Sequence, residues 1–274
     1  MTERPRHAAL IVVHGIGAQR RNWADAFIDR VRRETARRTP GVTLHAAPVH
    51  WTPVVQEAQE ALLARVARGL GWTWLRGLVI GHGGDVVAYQ SPPKVWMRPA
   101  WTYRAVHDRI HRRLVRLLRE VVTALGAFPS VPIPLVVVAH SLGSVIFSDF
   151  VYVLQSGVAP PRGFERQYHL ALRTLVTLGS PLALFALRAS PVGGFESPIA
   201  LGSGARWVNL LYRADPIAYP LAPTGAAYAE LVEDVRLRAR PWSWQWTPLA
   251  HGSYWRDRRV VRRVADAVAR AALP

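Results

Sequence analysis

The stretch Val136–Ser144 constrains the fold of this chain more than any other part of its sequence. It reads VVVAHSLGS, so a short apolar run comes directly before Ala139-His140-Ser141-Leu142-Gly143. Such a run is typical of a strand buried in a parallel sheet. A small residue on each side of the serine, two positions away, favours a sharp strand-to-helix turn, where larger side chains would collide. We therefore predict a strand, a tight turn and a helix, with Ser141 as candidate nucleophile at the top of the sheet. The alternative is a serine that only N-caps the helix.

Apolar runs and helical patterns alternate along the rest of the chain. This rhythm predicts an α/β fold, with a mostly parallel central sheet and helices on both of its faces. The first long helix is expected to begin at an N-cap, Asn22. The pattern predicts strands at 8–13, 42–51, 135–139, 170–178, 207–212 and 231–239, and helices at 22–39, 103–125, 143–155 and 254–272.

The segment 52–100 interrupts this alternation. It contains an amphipathic stretch (54–70), a tryptophan pair, a glycine-rich turn and a proline-rich exit. We predict one domain over residues 1–274, with 52–100 inserted as a helical lid over the sheet. Extra core helices are the alternative. The apolar part of the segment, 69–80, is shorter than the ~20 residues of a spanning helix, although it has the character to lie on a membrane surface.

A second glycine-containing turn follows the first predicted strand, at His14-Gly15-Ile16-Gly17. Acyl transfer requires backbone N–H groups that point at a developing oxyanion, and glycines let the chain approach closely. We predict the oxyanion-hole donors to be the N–H groups of Ile16 and Leu142. The turn lacks the Gly-Lys-Ser/Thr sequence of a phosphate-binding loop, so it is a poor nucleotide site.

The chain contains three motifs whose order along the sequence resembles that of a known protein family. They are His14–Gly17, Ala139–Ser144 and Leu178-Gly179-Ser180-Pro181-Leu182. Together they resemble the lipase and esterase branch of the α/β-hydrolase superfamily, including relatives that deacylate membrane lipids. The resemblance extends from about residue 8 to the final helix, outside the 52–100 insertion. Ala139 stands where the family usually has glycine, a change that the steric argument permits.

The resemblance implies a triad in the order serine, acid, histidine. Asp215, on a loop after an apolar strand, best matches the acid, and His251, on a loop before the last helix, best matches the histidine. His251 would accept the Ser141 proton, and Asp215 would orient the imidazole and stabilise its cation. Asp234 and Asp149 are the competing acids.

We predict supporting roles in the site for two other histidines and for the two glycines of the turn after the first strand. We expect His14 to anchor the oxyanion loop by hydrogen bonding and His140 to shape the pocket. With Gly15 and Gly17 they form the predicted substrate-binding set. His107 and His111 share a helix face, but the residues around them do not match a zinc motif, so we predict solvated histidines, no metal site and no cofactor.

Charge and composition limit the remaining possibilities. The chain lacks cysteine, which excludes disulfides and a cysteine nucleophile, and its formal charge is +17. Lys94 is the single lysine, and this arginine bias indicates GC-rich coding as much as a selected surface. Anionic partners are nevertheless favoured, so we expect peripheral contact with anionic membranes. The apolar run 8–13 lacks the length and the cleavage site of a signal peptide, so we expect a cytoplasmic protein. No nucleic-acid-binding motif is present.

Tryptophan side chains cluster in two parts of the sequence, one of them close to the predicted catalytic histidine. Tryptophans cluster at Trp72/Trp74 and at Trp242/Trp244/Trp246, the latter just before His251. Tryptophan with arginine suits a membrane interface, whereas packing of the lid on the core is the simpler interpretation.

The residues thus predict a serine hydrolase that cleaves carboxylic esters with an apolar acyl group. The substrate would be a small-molecule ester or a lipid ester. A thioesterase or an acyltransferase would use the same triad. A membrane-surface or protein-interaction module on a hydrolase scaffold is the alternative from a different class.

Overall fold

Six parallel strands form the sheet at the centre of the molecule. The computed structural model describes residues 6–17, 19–66, 101–156, 162–186, 199, 201–238 and 248–273. In these residues the strand order is β2-β1-β3-β4-β5-β6, and every neighbouring pair is parallel. The strands are β1 (Arg6–Val13), β2 (Val42–Val49), β3 (Ile133–His140), β4 (Leu170–Leu178), β5 (Arg206–Tyr212) and β6 (Val232–Leu237).

Helices connect the strands and cover both faces of the sheet. The described helices are α1 (Asp25–Arg38), α2 (Pro53–Val66), α3 (Trp101–Leu125), α4 (Leu142–Ser156), α5 (Arg162–Tyr168), α6 (Leu182–Ala186), α7 (Ala226–Leu231) and α8 (Arg258–Ala271). Short 3₁₀ turns lie at Ala222–Thr224, Pro248–Gly252 and Tyr254–Arg256. The prediction of an α/β fold, with a parallel sheet between two helical layers, is confirmed.

The middle parts of β1 and β3 are apolar because both of their faces are buried. Alternate residues of β1 and β3 enter opposite layers of the core. On one face, α3, α4 and α5 supply Ile110, Phe147 and Tyr168 to the core. On the other face, α1 and α8 supply Phe27 and Val264. This two-sided burial explains why β1 and β3 read as continuous apolar runs.

Several element boundaries differ from the sequence-based expectations. Helix α1 begins at Asp25, and the predicted N-cap Asn22 lies in the turn before it, where its carbonyl accepts from the Asp25 N–H. The last helix begins at Arg258 and not at 254, because the Asp257 side chain accepts from the Arg259 N–H and caps it. Helices α5, α6 and α7 were not among the predicted elements.

The carboxyl ends of the strands meet at one edge of the sheet. His14 follows β1, Ser141 follows β3, and Asp215 comes shortly after β5. Because all the strands are parallel, these residues are brought to the same edge although they are far apart in sequence. In open α/β sheets this is the edge at which ligands bind.

Part of the predicted insertion and two aromatic clusters lie outside the described residues. These are 67–100, with Trp72 and Trp74, and Trp242/Trp244/Trp246. Of 52–100, the structure describes 52–66, where Val54 packs into the core. None of the described helices combines the length and the apolar character needed to cross a membrane.

Candidate active site

Ser141 occupies a strained turn between β3 and α4. Its φ of 53° places a non-glycine residue in the left-handed region, which is uncommon and costs free energy. The surroundings hold this conformation in place. The Ser141 N–H donates to the Leu178 carbonyl at 2.9 Å, and the Ser141 carbonyl accepts from the N–H (2.9 Å) and Oγ (2.6 Å) of Ser144.

Gly143 explains why the turn requires a small residue after the serine. A Cβ on Gly143 would lie 2.4 Å from the His14 carbonyl oxygen and 2.9 Å from that of Val13. Both atoms belong to the backbone at the end of β1, so neither has a flexible side chain that could move away. The close approach of α4 to β1 therefore depends on the missing side chain.

The turn after β1 lies directly against Ser141. A Cβ on Gly15 would fall 2.5 Å from the Cβ of Ser141 and 3.1 Å from its Oγ. Gly17, with a φ of 90°, lets the chain turn in a conformation that side chains disfavour. The half-buried Ile16 lies between these glycines. The structure thus places the predicted oxyanion loop beside the predicted nucleophile, while the donor roles of Ile16 and Leu142 stay predictions.

His14 holds this loop in place through hydrogen bonds and ring stacking. It is buried, its Nδ1–H donates to the Gly15 carbonyl at 2.7 Å, and its Nε2 accepts from the Trp51 N–H at 3.3 Å. The indole of Trp51 stacks on the imidazole and donates to the His14 carbonyl at 2.9 Å. Burial lowers the pKa of His14 to about 3, which the hydrogen bond to Gly15 only partly opposes. The ring is therefore neutral at pH 7.

Asp215 and His251 form a hydrogen-bonded pair. His251 Nδ1 donates to Asp215 Oδ2 at 2.8 Å, and the Asp215 side chain is fully buried. The opposite ring nitrogen of His251, Nε2, is buried and has no hydrogen-bond partner in the described part of the chain. An imidazole with Nδ1–H bound to a carboxylate and Nε2 unprotonated is arranged to accept a proton.

Tyr254 is a member of this cluster that the sequence reasoning did not identify. Its hydroxyl donates to Asp215 Oδ2 at 2.8 Å and accepts from the Tyr212 N–H at 2.9 Å. The phenol ring is buried and stacks on Tyr212 with 4.1 Å between ring centroids. One feature of the sequence could have identified Tyr254 as a member of the site. It lies three residues after His251, within one turn of the chain.

These contacts determine the charge state of Asp215. Burial by itself would raise the pKa of the carboxyl group, but the hydrogen bonds from His251, from the Tyr254 hydroxyl and from the Ile217 N–H outweigh it. The pKa of Asp215 is consequently lowered. The carboxylate is therefore ionised at neutral pH and able to stabilise a cationic imidazole next to it.

His140 lies between the serine turn and the pair. Its Nε2–H donates to the His251 carbonyl at 2.8 Å, and its ring centroid is 4.7 Å from that of His251. A Cβ on Gly15 would be 3.1 Å from His140 Nδ1. Burial, together with the neighbouring His251, lowers the pKa of His140 to about 3. His140 is thus a neutral wall of the site that supports the backbone of His251.

The motif Leu178–Leu182 connects the serine turn to the pair. Gly179 has a φ of 55°, and a Cβ there would lie 2.8 Å from the Tyr254 ring and 3.0 Å from Asp215 Oδ2. Ser180 Oγ is 2.7 Å from Ser144 Oγ, which itself binds the Ser141 carbonyl. The glycine therefore makes room for the acid, and the serine supports the turn.

The competing acid Asp234 has a different set of partners. Its carboxylate accepts from the side-chain amide of Asn209 at 2.7 Å and from the N–H groups of Leu221 and Ala222 at 3.0 and 2.9 Å. These bonds tie β6 to β5 and to the loop before α7. Asp234 is thus occupied in holding the loop, whereas Asp215 is the acid that contacts His251.

The two histidines of α3 have protein partners. His111 is exposed and its Nδ1 lies 3.0 Å from the Tyr168 hydroxyl. His107 packs between Tyr103 and Phe150, so the expectation that it is solvated is wrong, and burial lowers its pKa to about 4. Within the described ranges, no group of three or more His, Asp or Glu side chains is placed to hold a metal ion.

Comparisons with known proteins give a limited picture. No protein-family model and no curated protein matches the chain. A crystal structure from Xanthomonas campestris pv. campestris, assigned by inference to the hydrolases of the alpha/beta superfamily, has 16% identity, a TM-score of 0.36 and 96% of both chains covered. An uncharacterized protein from Pseudomonas aeruginosa has 12% identity and a TM-score of 0.31, with 78% of this chain and 36% of that chain covered. Neither likeness informs the chemistry of the site.

Proposed function

We propose that the chain is a serine hydrolase that cleaves carboxylic esters through an acyl-enzyme on Ser141. The observation that carries the proposal is the buried Asp215–His251 hydrogen bond, which leaves Nε2 of His251 without a partner among the described residues. A buried ion-dipole pair of this kind costs desolvation free energy. Its position at the carboxyl edge of the sheet, where Ser141 sits on a strained turn, supports a catalytic purpose.

Each step of the proposed reaction uses a residue of this site. Ser141 Oγ attacks the carbonyl carbon while its proton passes to His251 Nε2, and the backbone N–H groups of Ile16 and Leu142 stabilise the oxyanion. The bond to the alcohol oxygen then breaks, and the imidazolium returns its proton to the departing alcohol. Water attacks the acyl-enzyme in the same way, which releases the carboxylic acid and restores the Ser141 hydroxyl.

Supporting residues keep the reacting groups in place before substrate arrives. Asp215 fixes the Nδ1–H tautomer of His251, and His14 holds the oxyanion loop through Gly15. Both interactions are formed within the protein itself, so the tautomer of His251 and the position of the loop are set before substrate arrives. We propose that Gly15, Gly17 and His140 contact the substrate next to the scissile bond.

The substrate and its setting are the finer part of the proposal. We propose an apolar acyl group, with 52–100 acting as a lid on a single domain, in a cytoplasmic protein that contacts anionic membranes peripherally. A thioester substrate or an acceptor other than water would use the same side chains. These alternatives differ in the leaving or accepting group and not in the roles of Ser141, Asp215 and His251.

The decisive experiment is covalent labelling with a fluorescent fluorophosphonate, combined with hydrolysis of p-nitrophenyl esters of graded chain length. Ser141→Ala should abolish both labelling and turnover. Ser148→Ala is the matched control, because Ser148 is buried on α4 and its Oγ has no hydrogen-bond partner in the described residues. It should label like the wild type.

Each outcome separates the candidate functions. Labelling lost only in Ser141→Ala, with rates that rise on longer chains, supports the proposal and its apolar substrate. Labelling that persists in Ser141→Ala would contradict the assigned nucleophile. A folded wild type that neither labels nor turns over would instead favour the interaction module on a hydrolase scaffold.

A further inference from the structure

A second cleft lies at the edge of the sheet opposite the candidate active site. Its volume is about 900 Å³, and it is bordered by the first residues of β1, β3 and β5 and by the end of α8. Strand β3 separates Ile133 at this cleft from Ser141 by eight residues, or roughly 25 Å at the rise of a parallel strand. The cleft is therefore distinct from the proposed catalytic site.

Four arginines make this cleft strongly basic. They are Arg6, Arg173, Arg206 and Arg270, and none of the described residues that line the cleft is acidic. Among the residues that the structure describes, no ion pair or side-chain hydrogen bond engages these four guanidinium groups. Elsewhere in the described chain, Arg37, Arg38 and Arg259 do have carboxylate partners. The positive charge in the cleft is thus left available to an anion.

The same cleft concentrates exposed apolar side chains. Four of the seven large hydrophobic residues that are exposed in the described part of the chain line it: Leu125, Phe128, Val131 and Leu273. Phe128 and Val131 are the most exposed of these, at 63% and 66%. Contiguous apolar surface of this kind, next to charge, is typical of a binding site.

A strained residue holds the apolar loop 126–132 in place. His169 has a φ of 51°, outside the usual range for a non-glycine residue. Its Nε2–H donates to the Pro129 carbonyl at 2.8 Å, its ring packs 4.6 Å from that of Phe128, and its carbonyl accepts from the Ile133 N–H at 3.0 Å. The loop is therefore built into position with Phe128 exposed, and not left loose at the surface.

We propose that this cleft binds a single anionic amphiphile, with a carboxylate or phosphate head on the arginines and an apolar chain against the loop 126–132. Guanidinium groups bind such heads through paired, charge-assisted hydrogen bonds. The volume falls within the range of pockets that enclose small molecules, and a concave site favours one molecule over a flat bilayer. The proposal does not depend on the catalytic role of Ser141.

Binding of dodecyl phosphate below its critical micelle concentration, measured by calorimetry at fixed ionic strength, tests the proposal. The principal variant is Arg173→Gln/Arg206→Gln, because both side chains are exposed on strands and their loss should not unfold the protein. Arg270 is avoided because a cation in the last turn of a helix also stabilises that helix. The matched control is Arg33→Gln/Arg263→Gln, two exposed arginines outside the cleft that remove the same charge.

The wild type should bind dodecyl phosphate, the principal variant should bind it at least about tenfold more weakly, and the control should stay within about twofold of the wild type. Phe128→Ser should weaken dodecyl phosphate but leave inorganic phosphate unchanged. Equal losses in both double variants would assign the binding to bulk charge and overturn the proposal. Unchanged affinity in the principal variant would place the amphiphile elsewhere and overturn it too.

Three further results would also overturn it. They are the absence of binding, inorganic phosphate that binds as tightly as dodecyl phosphate, and binding only to phosphatidylglycerol-containing vesicles and not to the monomeric amphiphile. The last result would identify the cleft as a membrane-docking face. Dodecyl maltoside, which has the same chain without the charge, should bind far more weakly than dodecyl phosphate.

Discussion

The hydroxyl of Tyr254 donates a hydrogen bond to Asp215 Oδ2 at 2.8 Å. The same oxygen accepts from His251 at 2.8 Å, so one carboxylate oxygen receives both donors. The phenol in turn accepts from a backbone N–H at the end of β5. Tyr254 therefore ties the proposed catalytic acid to the sheet and restricts the direction from which the acid meets the imidazole.

Removing the Tyr254 hydroxyl should impair both stability and activity. Tyr254→Phe leaves the buried Tyr212 N–H without its acceptor, which should cost about 1–3 kcal/mol of unfolding free energy. It also frees the Asp215 carboxylate to rotate, so kcat should fall more than KM changes. Urea denaturation and ester kinetics measure the two effects. A folded variant with wild-type kcat would show that Tyr254 has a structural role alone.

Asp215→Asn should lower kcat by about 10⁴-fold, since an amide does not hold the Nδ1–H tautomer of His251 or stabilise the imidazolium. Asp234→Asn is the matched control, because Asp234, on β6, is also a hydrogen-bonded acid. It should reduce stability while the kcat of the folded fraction stays within a few-fold of the wild type. If Asp234→Asn has the larger effect on kcat, the assignment of the acid is wrong.

Gly143→Ala should destabilise the fold through its contact with β1. The added Cβ meets backbone atoms at 2.4 and 2.9 Å, and overpacking of this kind typically costs about 1–3 kcal/mol. Gly252→Ala provides the contrast, because no atom of the described residues, apart from the two chain neighbours, lies within 4 Å of a Cβ at that position. Its unfolding free energy should change by no more than about 0.5 kcal/mol. Equal effects of the two changes in urea denaturation would refute this account of the turn.

Gly15→Ala should impair both catalysis and stability. Its Cβ would meet the Ser141 side chain, at 2.5 Å from Cβ and 3.1 Å from Oγ, and would push the hydroxyl from its position. A displacement of about 1 Å in a reacting group can cost about 10²-fold in rate. We expect kcat/KM and fluorophosphonate labelling to fall together, and the thermal midpoint to fall as well, because the Ser141 Cβ is fixed to the backbone and cannot rotate away. Wild-type labelling rates would argue against direct contact between the loop and Ser141.

The unfolding free energy should fall as the pH drops from about 6.5. Burial lowers the pKa of both His14 and His140 to about 3, well below the value of about 6.5 that an unperturbed histidine has. Between these values the unfolded chain binds protons that the folded chain does not, so acid favours unfolding, by up to about 1.4 kcal/mol per pH unit for each residue. At pH values above 6.5 this loss is absent.

His14→Gln removes one of these two groups and should make the decline shallower by nearly that amount. Urea titrations of the wild type and the variant at several pH values between 6 and 4.5 measure the difference. The variant will be less stable overall, because Trp51 loses a hydrogen-bond partner, so only the slopes are compared. Parallel curves would mean that His14 titrates alike in the folded and unfolded chains.

Local features of the sequence predicted the parts of the site that depend on local sterics. The turn around Ser141 requires small neighbours at fixed spacing, and the buried strand before it requires a continuous apolar run. Both requirements concern residues that are adjacent in the chain. Both ends of the strand Leu170–Leu178 were predicted correctly for the same reason. The start of α8 was predicted too early, because a 3₁₀ turn precedes the helix and the Asp257 cap sets where the helix begins.

Contacts between distant residues had to come from the tertiary structure. Three features depend on which strands are neighbours. They are the hydrogen bond of Tyr254 to Asp215, the space that Gly179 leaves for that acid, and the cluster of arginines at the opposite edge of the sheet. Apolar and turn patterns determine that a strand, a turn and a helix form. Strand order, which arises from the packing of two helical layers on the sheet, decides which side chains meet.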